Sequence, residues 1–253
     1  MSMIVRASES LHWYTREGAP MYQVQAAKGG MRATTLRDAR KLNLVPSVTT
    51  IMSCAAKPGL EAWKLNQMLL AALTLPKAPD ETMDSYAHRV AQDSKEQARA
   101  AAERGTEIHA ALEGWYEGTI IGDKVDYQTA VAEAVKNEFG DHNWSTEKSF
   151  ASKLGYGGKI DLHTLDDDGI FIDFKTKEFD SVEQVSVFDE NQMQLAAYRE
   201  GMEKPKALCA NVFVSVSKPG LVAVVRHSED ELQRGWLMFQ ALLAFWQAKN
   251  NHH

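Results

Sequence analysis

The stretch from Gly155 to Phe179, GYGGKIDLHTLDDDGIFIDFKTKEF, constrains the chain most. In IFIDFKTK, Ile170, Ile172 and Phe174 fall on one face and Phe171, Asp173 and Lys175 on the other, because strand side chains alternate with a period of two. Upstream, Ile160 and Leu162 alternate with Lys159, Asp161 and His163, and the DDDG of 166–169 reads as the turn between two antiparallel strands. Both strands have the apolar face of a core element, yet each carries charge on its second face.

The surrounding pattern places these strands in a larger sheet. Strands are expected near 146–153, 157–165 and 170–177, then a helix over 189–202, strands over 207–216 and 221–227, and a helix over 229–249. Ser228 and Glu231 form an S-x-x-E capping box for that last helix, and its Leu232, Trp236, Phe239, Leu243 and Trp246 form an apolar stripe suited to core packing. Towards the amino terminus, residues 1–45 read as irregular, with a turn in AAKGGMRATT. A helix is entered near Ser47 or Thr49, Pro58-Gly59 reads as a break, and helices are expected over 60–74, 81–115 and 125–139. The fold class is α/β (α+β): a sheet core with helices on its faces and a helical amino-terminal portion.

At 253 residues the chain suffices for one large domain or a core with an elaboration. Its longest apolar runs, MLLAAL and FQALLAFW, are too short to span a bilayer, and MSMIVRASESLHWYTREG lacks the apolar core of a signal peptide; a cytoplasmic location is expected. Cys54 and Cys209 are far apart with no CxxC, which excludes a four-cysteine zinc or iron–sulfur site within the chain and argues against a disulfide scaffold. The net charge is −6, but residues 1–57 carry eight Lys/Arg against three Asp/Glu, net +5, leaving −11 for 58–253. Such polarity suits a basic region for anionic nucleic acid and metal-binding carboxylates elsewhere; a basic arm without any such partner is the plainer alternative.

Asp161 and Asp173 carry the chemistry if the hairpin brings them together. Converging carboxylates resist ionisation unless a cation compensates, and magnesium takes such oxygen ligands together with phosphate and water. Lys175 reaches the same place and can orient or deprotonate a water and offset transition-state charge. A surface hairpin with a cross-strand salt bridge is the plainer alternative. Glu147 is a possible additional acid or a paired surface glutamate. Gln194 and Tyr198 lie four apart on one helical face; Gln194 can hold Lys175 or the water, and Tyr198 can contact phosphate or pack. His109 and Glu113 are likewise four apart. Imidazole is a natural manganese ligand, while Glu113 either orients it or is a solvated surface acid. Ser47, Thr49 and Thr50 suit a phosphate at a helix start or simple capping. Tyr156, Gly157 and Gly158 allow the backbone to bend by the site. Trp63 with Lys57, Lys64, Arg89, Lys95, Arg99 and Arg104 fits a single-strand track or a solvated face.

Taken together, GYGGKIDL, FIDFKTK and QLAAY resemble the PD-(D/E)XK nuclease superfamily and, within it, the RecB-type exonuclease branch: a Gly-rich strand ending in Asp, then Asp-hydrophobic-Lys-Thr, then a helix with Gln-x-x-x-Tyr. GTEIHAALEG supplies the upstream helical histidine, and PSVTTIM with KPGLEAW is similar to the mitochondrial genome maintenance exonucleases and related phage and bacterial single-strand exonucleases. The resemblance implies a restriction-endonuclease-like mixed sheet, a core over 105–253 and a helical portion over 1–104 gating DNA access, continuous with it. It implies Asp161, Asp173, Lys175 and Gln194 in catalysis, His109, Asp161 and Asp173 as ligands of one or two Mg²⁺ or Mn²⁺ ions, neither zinc nor an iron–sulfur cluster, and Ser47, Thr49, Thr50 and Tyr198 against DNA. The implied activity is that of a metal-dependent exonuclease on single-stranded DNA ends, in repair, recombination or phage DNA processing in a bacterial or phage-infected cytoplasm, with no membrane partner. A catalytically silent DNA-binding module, or an endonuclease on branched or duplex DNA or RNA, fits the same motifs.

Overall fold

The computed structural model describes residues 12–164 and 168–253; readings on the first eleven residues and on the first two residues of the DDDG turn lie outside them. The amino-terminal region is more ordered than its sequence pattern indicates. It contains β1 (Trp13–Tyr14), the hairpin β2 (Gln23–Gln25) and β3 (Met31–Ala33), helix α1 (Leu36–Leu42), β4 (Val45–Pro46), which pairs with β1, and helix α2 (Val48–Met52). These elements are too short to show a period, and local polar bonds define them. Thr35 and Asp38 cap α1 reciprocally, and Arg32 grips Asp38 with two nitrogens at 2.6 and 2.8 Å.

Helix α3 (Pro58–Thr74) begins at the proline read as a break. Proline suits the first helical position, where its missing N–H would be unpaired anyway. Helix α3 packs on α4 (Met83–Tyr116), and its outer side leaves Leu65, Leu69, Leu70 and Leu73 open to solvent. The boundary expected at 104/105 falls inside α4, a single helix about 51 Å long at 1.5 Å per residue. Helix α5 (Val125–Phe139) follows, with the bounds its periodicity predicts.

The sheet then runs β5 (Ser145–Ser152), β6 (Tyr156–Thr164) and β7 (Ile170–Lys177) as an antiparallel meander. After α6 (Asp189–Gly201), β8 (Leu208–Ser215) pairs parallel to β7 and β9 (Val222–Arg226) antiparallel to β8. The closing helix α7 (Glu229–Asn250) starts on the Ser228–Glu231 capping box. The sheet divides two cores. Leu162, Ile170, Ile172 and Phe174 pack with Ile108 and Leu112 of α4 and Val131 and Val135 of α5. Ile160 and Phe171 pack with Leu195 of α6, Phe239 and Trp246 of α7, and Trp13, Val48 and Ile51 from the amino-terminal region.

That region is therefore part of the second core. Trp13 meets the rings of Trp246 and His252 edge-on at 6.0 and 5.8 Å, and His252 donates to the Leu44 carbonyl at 2.6 Å. Gly157 and Gly158 serve close approach. A Cβ on Gly157 would lie 2.8 Å from the Phe150 carbonyl oxygen, and one on Gly158 2.8 Å from the Tyr198 ring.

Candidate active site

The two faces of β7 separate as its alternation predicts: Ile170, Ile172 and Phe174 towards α4 and α5, Asp173 and Lys175 towards α6. In β6 the expected alternation fails. Ile160 and Leu162 enter opposite cores because the ladder breaks between them. Strand β5 pairs Thr146 with Leu162 and Lys148 with Ile160 but skips the position between, where Glu147 takes φ +54°. On its other side, β6 pairs with β7 only from Leu162 onwards. Past that point Asp161 Oδ2 accepts from the Phe174 N–H at 2.9 Å. The break turns a strand position into a carboxylate set at the parting of two strands.

Asp173 is buried and held by three donors. Its Oδ1 accepts from Gln194 Nε2 at 2.7 Å; its Oδ2 accepts from Lys175 Nζ at 2.6 Å and from Asn211 Nδ2 at 2.7 Å. Gln194 holds this arrangement with both ends of its amide, for its Oε1 accepts from Lys175 at 3.0 Å while Nε2 also donates to the Tyr198 hydroxyl at 2.7 Å. Lys175 is thus fixed between a carboxylate and an amide oxygen. Burial works against its ammonium, but the Asp173 and Asp161 carboxylates outweigh it and its pKa lies above the ordinary lysine value. The side chain is a charged donor at neutral pH, which favours orienting a water over deprotonating one.

From the opposite face α4 brings His109 and Glu113, which with Asp161 place one donor atom each within 4.8 Å of one another. Donors sharing one ion through bonds of about 2.1 Å lie roughly 3–4 Å apart, so the trio closes on a cation with slight contraction. His109 Nδ1 stands 3.9 Å from Asp161 Oδ2, and burial holds the imidazole pKa below its usual value, so the ring is neutral, as a ligand must be. Burial, and then the charge of Asp173, push Asp161 up to about 8; burial, and then Glu147, push Glu113 up to about 7. Carboxylates that ionise so reluctantly suit an added cation.

Glu113, expected either beside His109 or in solvent, is a member of the trio. Asp173, expected as a ligand, lies outside it, its oxygens turned to Gln194, Lys175 and Asn211. Glu147, expected as an extra acid, instead pairs with Lys159 at the rim, and its charge opposes the ionisation of Glu113. Ser47 and Thr50 are buried: Ser47 Oγ accepts from the Thr50 N–H at 3.0 Å and bonds its hydroxyl at 2.8 Å, which caps α2 and leaves only Thr49 exposed. Tyr198 is buried against Phe150 and packs, with no route to a phosphate. Of the expected basic track, Lys57, Lys64, Arg89 and Arg99 each pair with a glutamate.

Asn211 and His227 were not singled out by the sequence. Asn211 lies directly across the parallel ladder from Asp173, and its Oδ1 accepts from His227 Nε2 at 2.7 Å. A single asparagine inside the apolar strand ALCANVFVSV is the only trace of this in the sequence.

No family model matches the chain and no curated protein matches it. Among solved structures, that of SSO0001 superposes with a TM-score of 0.30 at 14% identity, covering 72% of this chain and 86% of that one, a likeness too slight to carry an argument. Among the described residues, no helix is long and apolar enough to cross a membrane.

Proposed function

We propose that the chain is a metal-dependent nuclease of the PD-(D/E)XK type that hydrolyses single-stranded DNA from an end. The observation that carries this reading is the fixing of Lys175 Nζ between Asp173 Oδ2 and Gln194 Oε1, beside a nitrogen-and-oxygen donor set on α4 and β6. The element order supports it: a helix, a three-stranded meander, a helix and a parallel strand, with the acids where the strands part.

His109, Glu113 and Asp161, with Asp173 flanking them, would hold Mg²⁺ or Mn²⁺, which when bound supplies Lewis acidity at the phosphoryl oxygen and a more acidic water. Lys175 donates to the attacking water and to the charge that builds on the phosphorus oxygens. Gln194 and Asp173 keep the ammonium in that position, and Tyr198 keeps Gln194. Hydrolysis makes one P–O bond to the water oxygen and breaks the P–O bond to the leaving strand; the water gives up one proton and the leaving alkoxide takes one up, so a single water is consumed. The α3–α4 projection would flank the entering strand.

The reading is tested with end-labelled single- and double-stranded oligonucleotides and circular single strands, each with Mg²⁺, Mn²⁺ or EDTA, for the wild type and Lys175→Ala. Linear single strands should shorten only with metal, and circles should persist. Cutting of circles would reassign the enzyme as an endonuclease, and wild-type rates in Lys175→Ala would refute the site.

A further inference from the structure

A pocket of about 320 Å³ opens directly beside Lys175 and Gln194. Its walls are the end of β7, the first turn of α6, Thr49 and Met52 of α2, and Lys57. Lys177 follows Lys175 on the same face of β7, about 6.6 Å further along the strand, a distance comparable to one extended step of a nucleic-acid backbone. Its ammonium stands 5.4 Å from the centroid of the Phe188 ring. Lys177 has no carboxylate partner among the described residues, whereas Lys57 on the far wall is paired with Glu190 at 3.1 Å.

Phe188 is the unusual wall. It is a large apolar ring left 53% exposed on the wall of a pocket. It is held in place from its backbone, because its N–H donates to Asn191 Oδ1 at 2.9 Å where α6 begins. An exposed ring, a cation beside it and an opening onto the lysine of the site make up the parts of a single-strand subsite: aromatic faces stack bases of any sequence, and cations follow the phosphates.

We infer that this pocket holds the nucleotide next to the scissile phosphodiester, with its base stacked on Phe188 and its phosphate held by Lys177. The inference rests on the proposed single-strand nuclease activity, so the experiment must separate the two. Fluorescence anisotropy of labelled oligothymidylate in EDTA, where no strand is cut, is read for the wild type, Phe188→Ala, Phe188→Trp and Lys177→Ala, together with an abasic strand of equal length and metal-dependent hydrolysis by the wild type.

Phe188→Ala should weaken oligothymidylate binding about 10-fold, leave abasic-strand binding unchanged, and be rescued by Phe188→Trp. Lys177→Ala should weaken both strands and flatten the salt dependence by about 0.7 in log–log slope. Equal losses of Phe188→Ala on both strands, or none, in a protein whose wild type hydrolyses DNA would overturn the subsite and leave the nuclease reading standing. A wild type that neither binds nor hydrolyses single strands would overturn both.

Discussion

Asn211 donates its amide to Asp173 Oδ2 at 2.7 Å from the facing position on the neighbouring parallel strand, and it accepts from His227 in turn. Asn211 is wholly buried. The Asp173 carboxylate accepts from Asn211 Nδ2, so the amide oxygen faces His227 and the His227 Nε2 must carry the proton it donates; burial lowers the His227 pKa. The carboxylate is therefore aimed from beneath, by buried residues.

Removing Asn211 takes a donor from a buried carboxylate and an acceptor from a buried imidazole. Asn211→Ala should cost about 1–3 kcal/mol for each group left unpaired. Asn211→Asp should cost more, because it faces Asp173 with a second carboxylate in the same buried space. Urea denaturation of the two variants should place Asn211→Asp below Asn211→Ala in stability. The reverse order would show that the amide does not donate to Asp173.

Asp173 and Lys175 should behave differently when truncated, although the sequence treats them as equal members of one motif. Asp173→Ala takes one charged acceptor from each of Lys175, Gln194 and Asn211, which are left with Gln194 Oε1, the Tyr198 hydroxyl and the backbone carbonyl of residue 173, so the fold should lose about 3 kcal/mol or more. Lys175→Ala leaves Asp173 with two donors and opens onto a pocket that admits water, so its stability loss should be nearer 1 kcal/mol. Hydrolysis should fall at least 10²-fold in both. Thermal melts with single-turnover kinetics separate these outcomes.

How much of this the sequence discloses depends on range. Asp173 with Lys175, and Gln194 with Tyr198, are readable because a period of two or a step of four fixes which side chains share a face. Glu113 shares a face with His109 by the same rule, but its partnership with Asp161 depends on where α4 lies against β6, which no local period records. The failed alternation of Ile160 and Leu162 depends on a ladder break opposite Glu147, set by both neighbouring strands. The amino-terminal layer is hidden for another reason: Trp13, Val45 and Val48 stand in elements of two to five residues, too short to show a pattern.

The raised carboxylates give the pH dependence a definite sign. Free Asp and Glu titrate near 3.9 and 4.3, whereas Asp161 and Glu113 are raised to about 8 and 7. The metal-free folded state then holds protons that the unfolded state has released, so stability in EDTA should fall as pH rises across that interval. A divalent ion displaces those protons, so affinity should rise over the same interval. Melts with and without Mn²⁺ should show a small metal-induced gain near pH 5.5 and a large one near pH 8.5. Glu113→Gln should remove the component near 7. A gain independent of pH would show that the trio does not hold the ion.

Tyr198 offers the sharpest separation of positioning from substrate contact. Its hydroxyl accepts one of the two N–H bonds of Gln194, whose other N–H goes to Asp173. Tyr198→Phe removes that acceptor, frees the amide to rotate and loosens the hold of Gln194 Oε1 on Lys175. The expected result is a several-fold drop in kcat with KM and the salt dependence of binding unchanged, and a stability loss of about 1–3 kcal/mol for the unpaired N–H. A residue touching phosphate would behave in the opposite way, raising KM and flattening the salt dependence by about 0.7 in log–log slope. Steady-state kinetics at several salt concentrations, set beside Gln194→Met, decide between them: the two variants should share one kinetic signature because they act on one ammonium group.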